Sequence, residues 1–282
     1  RVCNAARGGT PGLQRTQTSI AVSADDRHWF LVNAAPDLRQ QINATPRLHP
    51  APGRPRHSPI AGVVLTNGEV DAVAGLLTLR EGWPLTIYAH ARVLATLEAN
   101  SIFNVLDRGR VRRVAIPPGN AFTPRLPDGT PSGLRVEPFA VPGKAAWYLG
   151  GADTEPGDTI GLEISETQGG QRLVFVAACA AVTPELKARL DGAALLLFDG
   201  TLWRDDELIA AGLGVKTGQQ MGHIAMSGAV GAIAALAGLT AGRKLFLHIN
   251  NSNPVLLPDS DERRAAADAG WEIPHDGWEL TL

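Results

Sequence analysis

The sequence predicts an α/β chain folded as a four-layer αββα sandwich, with two sheets each covered by helices. Three observations predict it. Short apolar runs of strand character recur with helix-like stretches between them. The first half mixes hairpins with helices, and the second half alternates strand and helix. Three segments also carry chemistry in a fixed order: Val63-Val64-Leu65 leading to Asp71, Leu195-Leu196-Leu197-Phe198 ending at Asp199, and Leu245-Phe246-Leu247 ending at His248. Such a layout sets ligands from distant parts of the chain at the rim of one sheet.

Residues 18–24 alternate weakly and 29–33 form a short buried-type run, so the pair reads as a hairpin closed by Asp25 and Asp26. Residues 35–42 open a helix with Asp37 near its first turn. The stretch 44–59 holds five prolines together with Arg47, His49, Arg54, Arg56 and His57, the composition of a surface loop that is mobile, extended as polyproline, or a lid. A buried strand follows at 60–65, a helix at 70–80, a strand at 84–88 and a helix at Ala91–Ala99. Strands at 110–116 and 134–141 flank a turn region rich in proline and glycine. Residues 159–165 and 172–177 read as a hairpin over Gly169 and Gly170. Then come a helix at Pro184–Leu190, a strand at 194–198, a helix at 230–236, a strand at 244–249, a helix at 262–269 and a strand at 271–273.

Composition bounds the function. With 282 residues, 44% of them hydrophobic and 5% aromatic, the chain can bury a sizeable core packed by aliphatic side chains. A formal net charge of -2 gives no electrostatic case for nucleic acid. No apolar run approaches the ~20 residues that span a bilayer, so no membrane insertion is expected. Cys3 and Cys179 lie far apart in sequence, which suggests a reducing, cytoplasmic setting rather than a disulfide scaffold. The chain begins without a Met or an opening strand, so a single domain over 1–282 is expected, lacking its N-terminal strand.

Each candidate residue has a bland alternative. Asp71 follows a strand and a glycine turn and opens a helix, where a carboxylate can bind a metal or cap the N-terminus. Glu69, two residues earlier, offers a further oxygen or is a solvated loop residue. Asp199 ends a run so apolar that its charge is costly unless paired or ligated, although a turn aspartate reads similarly. Gly200 lets the backbone turn closely beside it, and Thr201 can hydrogen-bond the carboxylate. His248 points opposite to Leu247 and Ile249 in a strand, as a ligand or as a core histidine. His223 lies in Met221-Gly222-His223 after a loop and is a ligand, a residue that orients a ligand, a proton donor or a surface residue. Cys179 reads as a small core residue, and Cys3 as a metal thiolate or a plain thiol. The chain has no Gly-x-Ser-x-Gly elbow and no Walker phosphate loop.

Taken together, these residues resemble the coenzyme PQQ synthesis protein B family, a branch of the metallo-β-lactamase superfamily. The resemblance covers nearly the whole chain. It is carried by Arg7-Gly8-Gly9-Thr10-Pro11-Gly12-Leu13-Gln14-Arg15, by Asn33-Ala34-Ala35-Pro36-Asp37-Leu38-Arg39-Gln40-Gln41 and by Leu65-Thr66-Asn67-Gly68-Glu69-Val70-Asp71. Further on it is carried by Gly75-Leu76-Leu77-Thr78-Leu79-Arg80-Glu81-Gly82, Phe198-Asp199-Gly200-Thr201-Leu202-Trp203, Met221-Gly222-His223 and His248-Ile249-Asn250-Asn251-Ser252-Asn253-Pro254. Where the superfamily carries His-x-His-x-Asp-His, this chain reads Asn67, Glu69, Asp71 and Ala72. Only the aspartate survives, which argues against an ordinary two-zinc hydrolase.

The resemblance implies a metal held by Asp71, Asp199 and His248, with His223 and Glu69 in catalysis and Asn251 and Asn253 binding substrate polar groups. It also implies that Cys3 is the last member of an N-terminal Cys-x-Cys-x-x-Cys zinc cluster that begins before this sequence. An oxygen-rich set with one or two imidazoles suits Fe(II) and O₂ better than zinc hydrolysis. The activity implied is iron-dependent hydroxylation of the tyrosine ring in a cross-linked glutamate–tyrosine intermediate of PQQ biosynthesis. Rival readings are a non-catalytic carrier of PQQ or its precursor that assists transport to the periplasm, a metal-dependent hydrolase, and a member left metal-poor by Ala72. The expected partners are that small-molecule substrate, other proteins of the pathway and a second copy of the chain.

Overall fold

The computed structural model describes residues 2–10, 12–54, 56–149 and 153–282. Pro11 of the 7–15 motif and Pro55 of the proline-rich loop lie outside the described residues. The chain, expected as one domain, clusters into two compact units. The first comprises Thr16–Ala140 and Ala145–Gly170, and the second Arg1–Arg15, Val141–Lys144 and Gln171–Leu282.

In the first unit, β1 (Ile20–Val22) and β2 (Trp29–Val32) form the expected antiparallel hairpin. Parallel pairing then adds β3 (Ile60–Val64), β4 (Leu85–Ala89) and β5 (Val111–Ala115), giving the order β1-β2-β3-β4-β5. β3 and β4 are buried along their whole length, as continuous apolar runs in parallel sheets are. The helix α4 (Ala91–Ala99) buries Val93 and Leu97, one turn apart on one face, and both join the core with Leu31, Val63, Ile87 and Leu106. β6 (Leu134–Ala140) pairs antiparallel with β7 (Ile160–Glu166).

The helix expected over 35–42 forms as α2 (Leu38–Ala44), and the helix expected over 70–80 is shorter. α3 (Val70–Val73) passes into a 3-10 turn at Ala74–Leu79. Gly75 explains the change, because its N–H donates to the Ala34 carbonyl and its backbone lies against that segment. A Cβ on Gly75 would meet the Ala35 oxygen at 2.1 Å and the Ala34 oxygen at 2.7 Å. Gly75→Ala is therefore expected to destabilise the protein by about 3 kcal/mol, since a backbone rather than a side chain must give way. Urea denaturation measures this, and a midpoint equal to that of the wild type would refute the close approach.

The proline-rich segment also differs from a plain solvated loop. It carries a 3-10 turn at Pro46–Leu48 whose Leu48 is buried in the first unit's core. The ring of His57 accepts the Ala51 N–H through Nδ1 and packs edge-on against Trp83 at 5.0 Å.

The second unit opens on a helix, α1 (Val2–Arg7), where no element is expected from the sequence. Its strands run parallel in the order β11-β10-β9-β8, from β8 (Leu173–Val176) through β9 (Leu195–Asp199) and β10 (Arg243–Leu247) to β11 (Trp271–Glu272). The helix α5 (Pro184–Leu190) begins where Thr183 accepts the Leu186 N–H and Pro184 takes the first turn. It buries Leu186 and Leu190. Ser260 caps α8 (Asp261–Asp268) in the same way, through the Arg263 N–H. Two short helices, α6 (Glu207–Ala210) and α7 (Ala232–Ala235), lie between β9 and β10. Only α7 is expected from the sequence, and at greater length. Phe246 stacks on Trp271 with ring centroids 3.9 Å apart, and Phe198 lies tilted against the same indole at 6.2 Å. No helix among the described residues is long and apolar enough to cross a membrane.

Candidate metal centre

The C-terminal ends of parallel strands are where α/β sheets gather ligands, because loops diverge there and leave room between them. In the second unit β8, β9 and β10 present such an edge. Asp199 is the last residue of β9 and pairs in register with Leu247 of β10. Gly200 turns the chain against β10, its N–H donating to the Leu247 carbonyl. A Cβ there would meet Cβ of Phe246 at 2.8 Å, so glycine is what permits the turn.

Asp199 is fully buried. A charge in that position needs donors, and four contacts supply them. Oδ1 accepts the Thr201 N–H at 3.1 Å and contacts Thr201 Oγ1 at 2.6 Å. Oδ2 accepts the Cys179 N–H at 2.9 Å and lies 2.8 Å from His223 Nδ1. Cys179 follows β8, and its side chain is buried as expected of a core residue. Burial pushes its thiol up to about 12, with the Asp199 carboxylate adding to the rise. The sequence offers no sign that the backbone of Cys179, rather than its sulfur, serves the site.

The strand β10 ends at Leu247, two residues earlier than expected, and His248 adopts a left-handed backbone with φ of 57°. A side chain in that region costs about 1–2 kcal/mol relative to the right-handed form. The departure aims the imidazole along the sheet edge, and Nδ1 reaches Thr201 Oγ1 at 2.8 Å. His223 arrives from a loop. A 3-10 turn at Gln219–Met221 ends on Gly222 with φ of 90°, and the Gly218 carbonyl accepts the His223 N–H. The two imidazoles stack, with centroids 5.2 Å apart and planes 18° from parallel.

Asp199, His223 and His248 each place one ligand atom within 4.8 Å of the others, the sole group of this kind among the described residues. The set expected from the sequence was Asp71, Asp199 and His248. Within the second unit it is His223 that completes the trio. Asp71 and Glu69 lie in the first unit at the start of α3, where Glu69 holds the N-cap position and Asp71 the first turn. There Glu69 Oε1 accepts the Trp147 N–H at 3.2 Å, and the Tyr148 hydroxyl donates to the Gly68 carbonyl at 2.6 Å. Burial and the Glu69 charge raise the Tyr148 phenol above its ordinary value.

Asn253 proves to be structural. It is fully buried, its Nδ2 donating to the Gly200 carbonyl and to Met226 Sδ while its Oδ1 caps the turn Pro254–Leu256 through the Val255 N–H. With its amide so committed, the expected contact with substrate is replaced by support of the Gly200 turn. Asn251 is exposed. Its carbonyl lies 4.0 Å from the Cys3 sulfur, and among the described residues Cys3 joins no group of three ligand atoms. The sequence assigns no role to Lys144, which lies in the part of the chain where the superfamily's middle histidine would fall. Its aliphatic stem covers the face of Gly222 beside His223, where a Cβ would meet Lys144 Cγ at 3.1 Å.

A sequence-family model of the beta-lactamase superfamily domain matches residues 28–249. The coenzyme PQQ synthesis protein B of Bradyrhizobium diazoefficiens is 62% identical over 99% of this chain and 92% of its own length. That of Rhodopseudomonas palustris strain BisB5 is 65% identical over 100% of this chain and 92% of its own. The chain belongs to the coenzyme PQQ synthesis protein B family. The solved structure of Zn(2+)-bound PqqB from Methylobacterium extorquens is similar throughout, with a TM-score of 0.93 at 49% identity, covering 100% of this chain and 93% of that one. The metallo-β-lactamase fold expected from the sequence is thereby shown.

As a member of the PqqB family, the chain should offer a donor set that suits a metal. It does. A fully buried carboxylate converges with two imidazoles, a combination of one hard oxygen and two nitrogens that binds Fe(II) and zinc alike.

Proposed function

We propose that this protein acts in PQQ biosynthesis as an iron- and oxygen-dependent hydroxylase of the tyrosine ring in a cross-linked glutamate–tyrosine intermediate. The observation that carries the reading is the trio Asp199, His223 and His248, two imidazoles and one carboxylate gathered at one sheet edge. Family membership supplies the pathway. When bound, iron would supply O₂ activation, so that one oxygen atom enters a ring C–H and the other leaves as water at the expense of an external reductant.

The protein's own residues do the rest. Thr201 and the Cys179 backbone hold Asp199 in place, so the carboxylate does not relax toward solvent. His223, partly buried against Asp199, holds its Nδ1 proton on that carboxylate. Lys144, lying over Gly222, and the exposed Asn251 offer polar groups to an amino-acid substrate rich in carboxylates.

Protein loaded anaerobically with Fe(II) and mixed with the cross-linked glutamate–tyrosine compound should add oxygen to the ring once O₂ and a reductant are admitted, as mass spectrometry reads. Chelation of the metal should abolish the product. If fully loaded protein leaves the compound unchanged but binds finished PQQ tightly, the carrier reading replaces this one. Zinc is a specific competitor as resident metal, because the M. extorquens relative is Zn(2+)-bound. Ester or phosphodiester cleavage by the zinc-loaded protein would favour a hydrolase.

A further inference from the structure

Thr201 touches every member of the trio through one atom. Its Oγ1 lies 2.6 Å from Asp199 Oδ1, 2.8 Å from His248 Nδ1 and 3.0 Å from His223 Nδ1. A hydroxyl has one proton to donate and two lone pairs to accept with. The three contacts use all of that capacity, and they can be assigned in only one way. A carboxylate accepts and does not donate, so the 2.6 Å contact to Asp199 must contain the hydroxyl proton. Nothing is then left for Thr201 to donate to either ring. Both Nδ1 atoms must bring their own proton.

For His223 a second contact gives the same answer independently. Its Nδ1 lies 2.8 Å from Asp199 Oδ2, an acceptor that also demands a proton on the ring nitrogen. In a neutral imidazole with Nδ1 protonated, Nε2 carries the lone pair.

We propose that Thr201 is the positioning residue of this centre: it sets the tautomer of His248 and supports the one that Asp199 sets on His223. Its hydroxyl accepts Nδ1–H from His248 at 2.8 Å and lies 3.0 Å from the His223 Nδ1–H that Asp199 Oδ2 accepts, so that on both rings Nδ1 carries the proton and does not bind the metal. The backbone supports the geometry from both sides. The Thr201 N–H donates to the same carboxylate oxygen, and the Thr201 carbonyl accepts the Asn250 N–H at 3.0 Å, tying the segment after His248 to the segment after Asp199. Valine fills the same volume as threonine without the hydroxyl. Serine restores the hydroxyl without the methyl.

The inference rests on the reading of Asp199, His223 and His248 as a metal set, and not on hydroxylation. Its test uses cobalt(II) alone as probe, followed by visible absorption, and the ¹⁵N resonances of both imidazoles in metal-free protein. Wild-type protein should show Nδ1–H on His223 and on His248. Thr201→Val should bind cobalt about 10–100-fold more weakly, the loss typical when a partner that orients a ligand is removed, while Thr201→Ser should recover most of the affinity. An Nε2–H tautomer on either ring of the wild type overturns the assignment, as does a Thr201→Val variant with undiminished affinity. Should the wild type take up no cobalt, the metal reading falls, and the ring-nitrogen signals still decide the hydrogen bonds on their own, even if Thr201→Val does not fold.

Discussion

Replacing His248 with asparagine is expected to abolish metal uptake and the proposed oxygen incorporation while the protein stays folded. The choice of asparagine follows from the backbone. His248 sits at φ of 57°, a conformation that alanine resists and asparagine tolerates. Asparagine keeps a short polar side chain at the sheet edge and lacks the imidazole. Loss of a ligand should exceed the roughly 10–100-fold that loss of an orienting partner costs in metal affinity. Metal content after gel filtration and single-turnover mass spectrometry read the two effects separately. A folded His248→Asn protein that retains stoichiometric iron would remove His248 from the ligand set, and retained turnover would remove the trio as the active centre.

The second large effect is on stability. Asp199→Ala in metal-free protein should cost about 3–5 kcal/mol, a substantial part of the roughly 5–15 kcal/mol that holds a typical native protein together. The substitution leaves the buried N–H groups of Cys179 and Thr201 without their acceptor, each worth roughly 1–3 kcal/mol, and takes from His223 its carboxylate partner. Asp199→Asn should recover little, since an amide nitrogen would face a donor on whichever side it lies. Measuring urea midpoints in the presence of a chelator isolates this effect from metal binding. If Asp199→Ala costs less than about 1 kcal/mol there, the carboxylate does not hold the edge together and acts only when metal is bound.

These two residues also mark how far the sequence could be read. Asp199 and His248 are legible because one ends and the other directly follows the buried apolar end of a strand, where an ionisable side chain is expensive without a partner. β3, β4, α4, β9 and β10 are legible for a related reason: continuous apolar runs and a face of Val93 and Leu97 have one inexpensive environment each. The left-handed turn at His248 is not legible, because histidine, though enriched in that region, adopts it at only a small minority of positions and the sequence does not say which. The shortening of the 70–80 helix hides in the same way, since Gly75 tightens only against the Ala34 and Ala35 carbonyls that tertiary packing brings to it. Asn253 looks like a polar group awaiting a ligand, and only packing shows its amide spent on Gly200, Met226 and Val255.

By itself, then, the sequence determined the α/β character, the family and two candidate ligands at strand ends, because burial and long motifs are properties of contiguous residues. The tertiary structure decided that His223 joins them, that the Cys179 backbone and not its thiol serves Asp199, and that one hydroxyl on Thr201 meets all three side chains. Those facts depend on distances of a few ångströms between segments 20 to 47 residues apart. No local pattern encodes such distances; the pairing of β8, β9 and β10 in register creates them.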